Sequence, residues 1–333
     1  MGFDESLGII LEPPRRPQKN NTAGVKNAFR NTSSKERRRA NMAKMARVAA
    51  RTPEVMVKVS GGATGLRHMQ EHMNYITRNG DIEAETEQGE IINSREDVLE
   101  KAKSWHYNDQ GRGRGRQTVN LVLSMPSGTD PDKLKEAVRN FAARNFSADR
   151  EYIFAQHHDT KNPHCHLTLQ AVGVDGLRLS PRKADLQMWR ESFAEALREQ
   201  GVKAEATPRR SRGVVKKGEK QAVRHARKRN HSTVAKGQVE SAKKRLLGDE
   251  RERPWEARIA QQQGDIRKAW DNVAEELEKH PEGRKMATVV KQFVQQMPKP
   301  ITREQQLIKA MEARLKNREK QQQIRDRGPD LER

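Results

Sequence analysis

The chain has 333 residues, of which 66 are Lys or Arg and 45 Asp or Glu, a formal net charge of +21. Only 33% of residues are hydrophobic and 4% aromatic, too few for one compact core over the whole length. Such a charge points to a polyanionic partner, nucleic acid first, while a single cysteine excludes an internal disulfide framework.

The start, "MGFDESLGIILEPPRRPQ", has neither a signal-peptide pattern nor the context of a myristoylation site. No apolar run approaches 18 residues, so stable membrane insertion is not expected. Residues 13–51 carry twelve bases against one acid, Glu36. Residues 1–52 are therefore expected to be a flexible basic extension, with a short basic helix in "SSKERRRANMAKMARVAAR". Alternating, β-branched "EVMVKVS" (54–60) predicts a strand, and "LRHMQEHMNYITRNG" (66–80) a helix stopped by Asn79-Gly80. Residues 81–116 are polar, read as irregular, and end in "GRGRGR". Two more strands are expected over 117–126 and 150–157, with an amphipathic helix at 130–146 between them, opened by Asp130 and Pro131. A fourth strand (164–173), a turn at 174–177 and a helix (186–201) follow. The domain is expected to occupy 53–207. A basic linker (208–235) and a charged, loosely packed helical region (236–333) come after it. Residues 201–333 hold 34 bases and 19 acids, most of the excess charge.

Four of the ten histidines fall within "QHHDTKNPHCHL" (156–167). Side chains alternate faces along a strand. His164, His166, Thr168 and Gln170 then share one face, while Cys165, Leu167 and Leu169 point to the core. His157 ends the preceding strand. If the two strands pair, His157, His164 and His166 converge on one exposed point. Three imidazoles suit a divalent ion and leave positions open for substrate. Asp159 is placed to orient an imidazole through its other nitrogen or to accept a proton. The plainer alternative is a polar histidine cluster on a surface strand. A metal on a basic domain fits phosphodiester chemistry, with Mg²⁺ or Mn²⁺ as the candidate ion. Of three tyrosines, Tyr152 has core parity and Tyr107 is a possible base-stacking residue. Tyr75 lies on one helix face with His68 and His72, and spacing alone equally allows a packing role for it.

The ordered segments "YITRNG" (75–80), "VNLVLSMPSGTD" (119–130) and "HHDTKNPHCHL" (157–167) resemble the relaxases of conjugative and mobilizable plasmids, closest to the P-type clade. "ATPRRSRG" (206–213) is similar to the segment that follows the nuclease core there. That resemblance implies an α+β fold, an antiparallel sheet flanked by helices, of the histidine-hydrophobe-histidine endonuclease class. It implies Tyr75 as a nucleophile that stays on the DNA 5′ end. His157, His164 and His166 become metal ligands, and Asp159 matches the motif's acidic position. Single-stranded origin-of-transfer DNA is the implied substrate, with Arg67, Arg78, Arg112, Arg114, Arg116, Arg178 and Arg182 as backbone contacts. Accessory relaxosome proteins and type IV coupling machinery are implied partners of the C-terminal region. A bacterial cytoplasmic location, with passage to the recipient alongside the DNA, follows in the same way. Two alternatives stay open: a rolling-circle initiator or transposase of the same class, where the tyrosine typically follows the histidines, and a non-enzymatic DNA-binding accessory protein with a structural metal.

Overall fold

A computed structural model of the chain describes residues 3–11, 34–109, 115–214, 219 and 221–326. They form two compact units: residues 34–207, and residues 1–33 together with 208–333.

The first unit is built on six strands: β1 (Met56–Gly61), β2 (Ala84–Thr86), β3 (Ile91–Ile92), β4 (Thr118–Ser124), β5 (Tyr152–His157) and β6 (His164–Gln170). Their order is β1-β4-β6-β5-β2-β3, and every pairing is antiparallel. Two layers of helix cover the sheet. On one face lie α5 (Pro131–Phe146) and α6 (Lys183–Glu199). Helix α5 starts where Asp130 accepts from the backbone N–H groups of Asp132 and Lys133, at 3.0 and 3.3 Å, with Pro131 in the first turn. Leu134, Ala137, Val138, Phe141 and Ala142 recur on its buried stripe and meet Leu121, Leu123, Leu167 and Leu169 of the sheet. Phe141 is fully buried between the rings of Phe146 and Phe193, each 5.8 Å away. Phe141→Ala is expected to cost about 3–5 kcal/mol of this unit's stability, read as a shift of the urea midpoint at unchanged slope.

The other face is covered by α3 (Leu66–Ile76) and α4 (Arg95–Asn108). Met69, Met73, Ile76, Val98, Ala102 and Trp105 close over Ile153 and Ala155. Helix α4 and the β2–β3 pair overturn the expectation of an irregular 81–116. Ser94 caps α4 by accepting from Asp97 N–H at 3.0 Å, and Val98, Ala102 and Trp105 recur at helical spacing among charged neighbours. With only three buried positions in fourteen, the stripe is weak until a sheet is there to receive it. Trp105 Nε1–H and Lys101 Nζ both donate to Glu151, at 2.8 and 2.7 Å, tying α4 to the start of β5.

Helix α2 (Ser34–Ala49) forms within the segment expected as a flexible extension, and its C-terminal half packs: Met45 and Val48 are buried. Arg47 reaches the buried carboxylate of Glu205 at 2.6 Å, and Lys44 pairs with Glu191 on α6 at 2.9 Å. Residues 12–33 lie outside the described residues.

The second unit is helical: α1 (Phe3–Leu11), α7 (Gln221–Lys228), α8 (Thr233–Leu246), α9 (Pro254–Glu278), α10 (Arg284–Gln295) and α11 (Arg303–Asp326). Loose packing was expected here, yet part of it has a true core. Leu7, Ile10, Ile266, Trp270, Val273, Val290 and Phe293 are buried, and the Trp270 and Phe293 rings meet edge-on at 5.0 Å. The turn Arg209–Arg212, at the start of the expected linker, joins this unit: Trp270 Nε1–H donates to the Ser211 carbonyl at 2.8 Å. These contributors come from three segments far apart in the chain, so no local window reveals the core. Among the described residues no helix is long and apolar enough to cross a membrane.

Candidate active site

The β5–β6 register sets His157 directly opposite His164 and Ala155 opposite His166. Directly paired residues project to the same face, so the three imidazoles gather at one end of the sheet. Ring centroids lie 4.4 Å apart for His157–His166, 5.3 Å for His164–His166 and 5.5 Å for His157–His164. One nitrogen from each lies within 4.8 Å of the others. Nitrogens bonded at about 2.1 Å around a tetrahedral ion sit roughly 3.4 Å apart, so a contraction of up to about 1.4 Å closes the set.

Hydrogen bonds select which nitrogens are available. A carbonyl only accepts, so His157 Nε2–H donates to the Ile76 carbonyl at 2.7 Å and its Nδ1 keeps a lone pair. That Nδ1 is buried without any partner, a costly arrangement unless something electrophilic binds there. His164 Nδ1 donates to the Asn162 carbonyl at 3.1 Å, which leaves Nε2 as its ligand atom. Burial is the first cause holding His166 down to about 3, with the neighbouring imidazoles next. Burial likewise lowers His157. Both rings are neutral at pH 7, the form that binds metal. A divalent ion fits this donor set.

The cluster is less exposed than its strand parity suggests, with His157 at 1% and His166 at 8% exposure. Helices α3 and α4 supply the second layer that covers this face. Asp159 also departs from expectation. It stands 3.8 Å from His164 Nε2, the ligand nitrogen, while the other ring nitrogen is taken by Asn162. Its firm partner is the Arg78 guanidinium.

Tyr75 projects beside the histidines at the end of α3. It is 51% exposed, with its ring 5.7 Å from His166 and 6.1 Å from His157. Helix α3 stops at Ile76 rather than running to residue 80. The Ile76 carbonyl, one of the acceptors that every helix C-terminus leaves open, is the one that holds His157. Arg78 and Asn79 then adopt consecutive left-handed conformations, φ 50° and 60°. Each costs roughly 1–2 kcal/mol for a residue with a Cβ, somewhat less for Asn. The turn brings the Arg78 guanidinium to 5.2 Å from the Tyr75 ring centroid. It continues through Gly80 at φ 104°, where a Cβ would meet the Asn93 carbonyl oxygen at 2.7 Å.

Among the described arginine candidates only Arg78 reaches this cluster. Arg67 is exposed and paired with Glu71 at 2.9 Å; Arg178 reaches Asp109 at 3.2 Å and the Arg116 carbonyl. Arg116 and Arg182 are exposed, and Arg182 precedes α6 with its backbone N–H donating to Asp185 at 2.7 Å. Arg112 and Arg114 lie outside the described residues. Tyr152 is 2% exposed, and burial, then the nearby Glu87 and Glu85, push its hydroxyl up to about 12. Tyr107 stands 75% exposed on α4. One neighbour had no assigned role: His72, whose ring lies 6.4 Å from that of Tyr75 and whose Nε2 is 3.0 Å from Thr168 Oγ1. Burial, then His68, lowers it to about 4. Its spacing to Tyr75 on α3 was the available signal.

Residues 75–202 match the family model "Relaxase: MobA/VirD2-like, nuclease domain". This segment is similar to a relaxase nuclease domain. Its match begins at Tyr75 and takes in all three histidines. A curated relative, the T-DNA border endonuclease VirD2 of Rhizobium radiobacter, is 26% identical over 186 residues, covering 49% of this chain and 44% of its own. The chain thus spans less than half the length of that relative.

Proposed function

We propose that the chain is a DNA relaxase that nicks one strand at an origin of transfer by tyrosine transesterification and so starts conjugative transfer. The observation that carries this reading is an exposed tyrosine ring within 6 Å of His166, beside a trio of imidazoles in which His157 Nδ1 is buried without a partner. Tyr75 is the nucleophile, and His157, His164 and His166 hold the ion, Mg²⁺ or Mn²⁺. When bound, the ion supplies positive charge that steadies the scissile phosphate.

A free tyrosine is only about 0.1% phenolate at pH 7, so its attack depends on placement and on an acceptor for its proton. Helix α3 provides the placement, and Asp159 lies on the same side as a candidate acceptor. The Tyr75 Oη–P bond forms as the P–O3′ bond breaks, and the strand's 5′ end stays on the protein. No bond energy is lost, so a 3′-hydroxyl can later reverse the step. The test is incubation of the full chain with a labelled random-sequence single-stranded DNA pool and Mn²⁺, followed by a denaturing gel. A label that survives denaturation on the protein supports the reading; its absence with every divalent ion tried sinks it.

The helical unit is assigned the partners: long DNA through its charge, and the coupling and relaxosome proteins that deliver the chain and its strand to a recipient cell. A 34–207 fragment is expected to form the covalent adduct on a short oligonucleotide at near the full-length rate. It should bind long DNA with a shallower salt dependence and fail in a mating assay, because fewer phosphates are neutralised and the recruiting surface is gone. Transfer at full frequency by the fragment would show the helical unit to be dispensable.

A further inference from the structure

Arg78 is held in place at a cost that its visible contacts do not offset. Two consecutive residues with side chains take left-handed backbone conformations to aim it. What it gains is an ion pair with Asp159 in which both side chains remain more than a third exposed, and such pairs add little to stability. Backbone strain kept without a structural return marks a functional position. Among the described residues Arg78 is the cation stacked on Tyr75, and its Asp159 partner is the carboxylate next to His164.

We propose that Arg78 is a catalytic residue that grips the scissile phosphate, and that Asp159 is its resting partner, displaced when a DNA strand enters. This rests on the nuclease reading above. A guanidinium offers the same fork of N–H donors to two carboxylate oxygens or two phosphate oxygens, so one anion replaces the other without moving the backbone. Among the described residues Arg78 is the guanidinium that stands over the Tyr75 ring, so it can meet the phosphate's charge from the Tyr75 side. As the Oη–P bond forms and the P–O3′ bond breaks, the phenol loses a proton and O3′ gains one. Arg78 keeps its own protons and donates to the non-bridging oxygens throughout.

The test uses full-length protein and the oligonucleotide that wild type selects from the random pool. Adduct formation is timed in a single turnover, and non-covalent affinity is measured in a Tyr75→Phe background. Arg78→Ala is expected to slow the adduct by about 10²–10³-fold, the usual loss for one donor to transition-state charge, while affinity falls only a few-fold. Added methylguanidinium should restore part of the Arg78→Ala rate, which repair of a merely structural defect would not do. Arg78→Lys should fall between the two, with the charge but not the fork. Asp159→Asn should tighten binding of the strand, since the competing carboxylate is gone. An Arg78→Ala rate within threefold of wild type, or a loss that methylguanidinium leaves untouched, overturns the catalytic assignment. Unchanged or weaker binding by Asp159→Asn overturns the resting pair. If wild type forms no adduct, it is the nuclease reading that has failed. Affinities for a fixed single-stranded oligonucleotide then still decide whether Arg78 and Asp159 exchange over a phosphate.

Discussion

Tyr75→Phe is expected to abolish the covalent protein–DNA band altogether while leaving strand binding within a few-fold. The substitution removes one oxygen from a ring that is half in solvent, so neither the α3 core residues Met69, Met73 and Ile76 nor the histidine cluster loses a contact. The other two tyrosines do not substitute for it. Tyr152 is sealed on the opposite face of β5 from His157, with its hydroxyl further from ionisation than usual. Tyr107 lies on α4 and makes no ring contact with the histidines among the described residues. Tyr107→Phe and Tyr152→Phe should both still form the adduct. A labelled band that persists in Tyr75→Phe and vanishes in one of these would move the nucleophile.

The second large effect is expected from the histidines. His164→Ala is the cleanest variant, because His164 sits at the start of β6 and is less buried than the other two. Loss of one of three ligand nitrogens should exceed the roughly 10–100-fold that second-layer partners of a metal site are worth. We therefore expect at least about a 100-fold drop in adduct rate, near 2.7 kcal/mol of barrier. Calorimetric titration with Mn²⁺ should show the matching loss of affinity, and exhaustive chelation of wild type should reproduce it. A melting curve close to wild type separates this from unfolding. Undiminished nicking after chelation would remove the ion from the reaction.

Much of the site was legible because its logic is local. Parity along 164–170 sorted histidines from core leucines, and the six-residue loop between β5 and β6 made them antiparallel neighbours, so His157 had to meet His164. Asp130 and Pro131 announced α5 by the chemistry of a helix start, and the fold class followed from the strand and helix order together with the family resemblance. Helix α4 was not legible. Its buried residues Val98, Ala102 and Trp105 form a stripe only against a sheet face.

Long-range contact decided the rest. The end of α3 at Ile76 rather than Gly80 is dictated by what the turn has to reach: a carbonyl for His157 and a guanidinium for Tyr75 and Asp159. No pattern in "YITRNG" carries that, because the partners lie about eighty residues away. Seven arginines were equal candidates by charge, and only position in space separates Arg78 from the other described ones. In the helical unit, Leu7, Ser211, Trp270 and Phe293 belong to one core although some 200 residues divide the first two. The sequence by itself singled out the candidate residues, the histidines by spacing and parity, which are properties of a few neighbouring residues, and Tyr75 by its resemblance to the relaxase motif. Tertiary structure alone decided which charges face them and how deeply they are covered, since those depend on segments that meet only after the chain has folded.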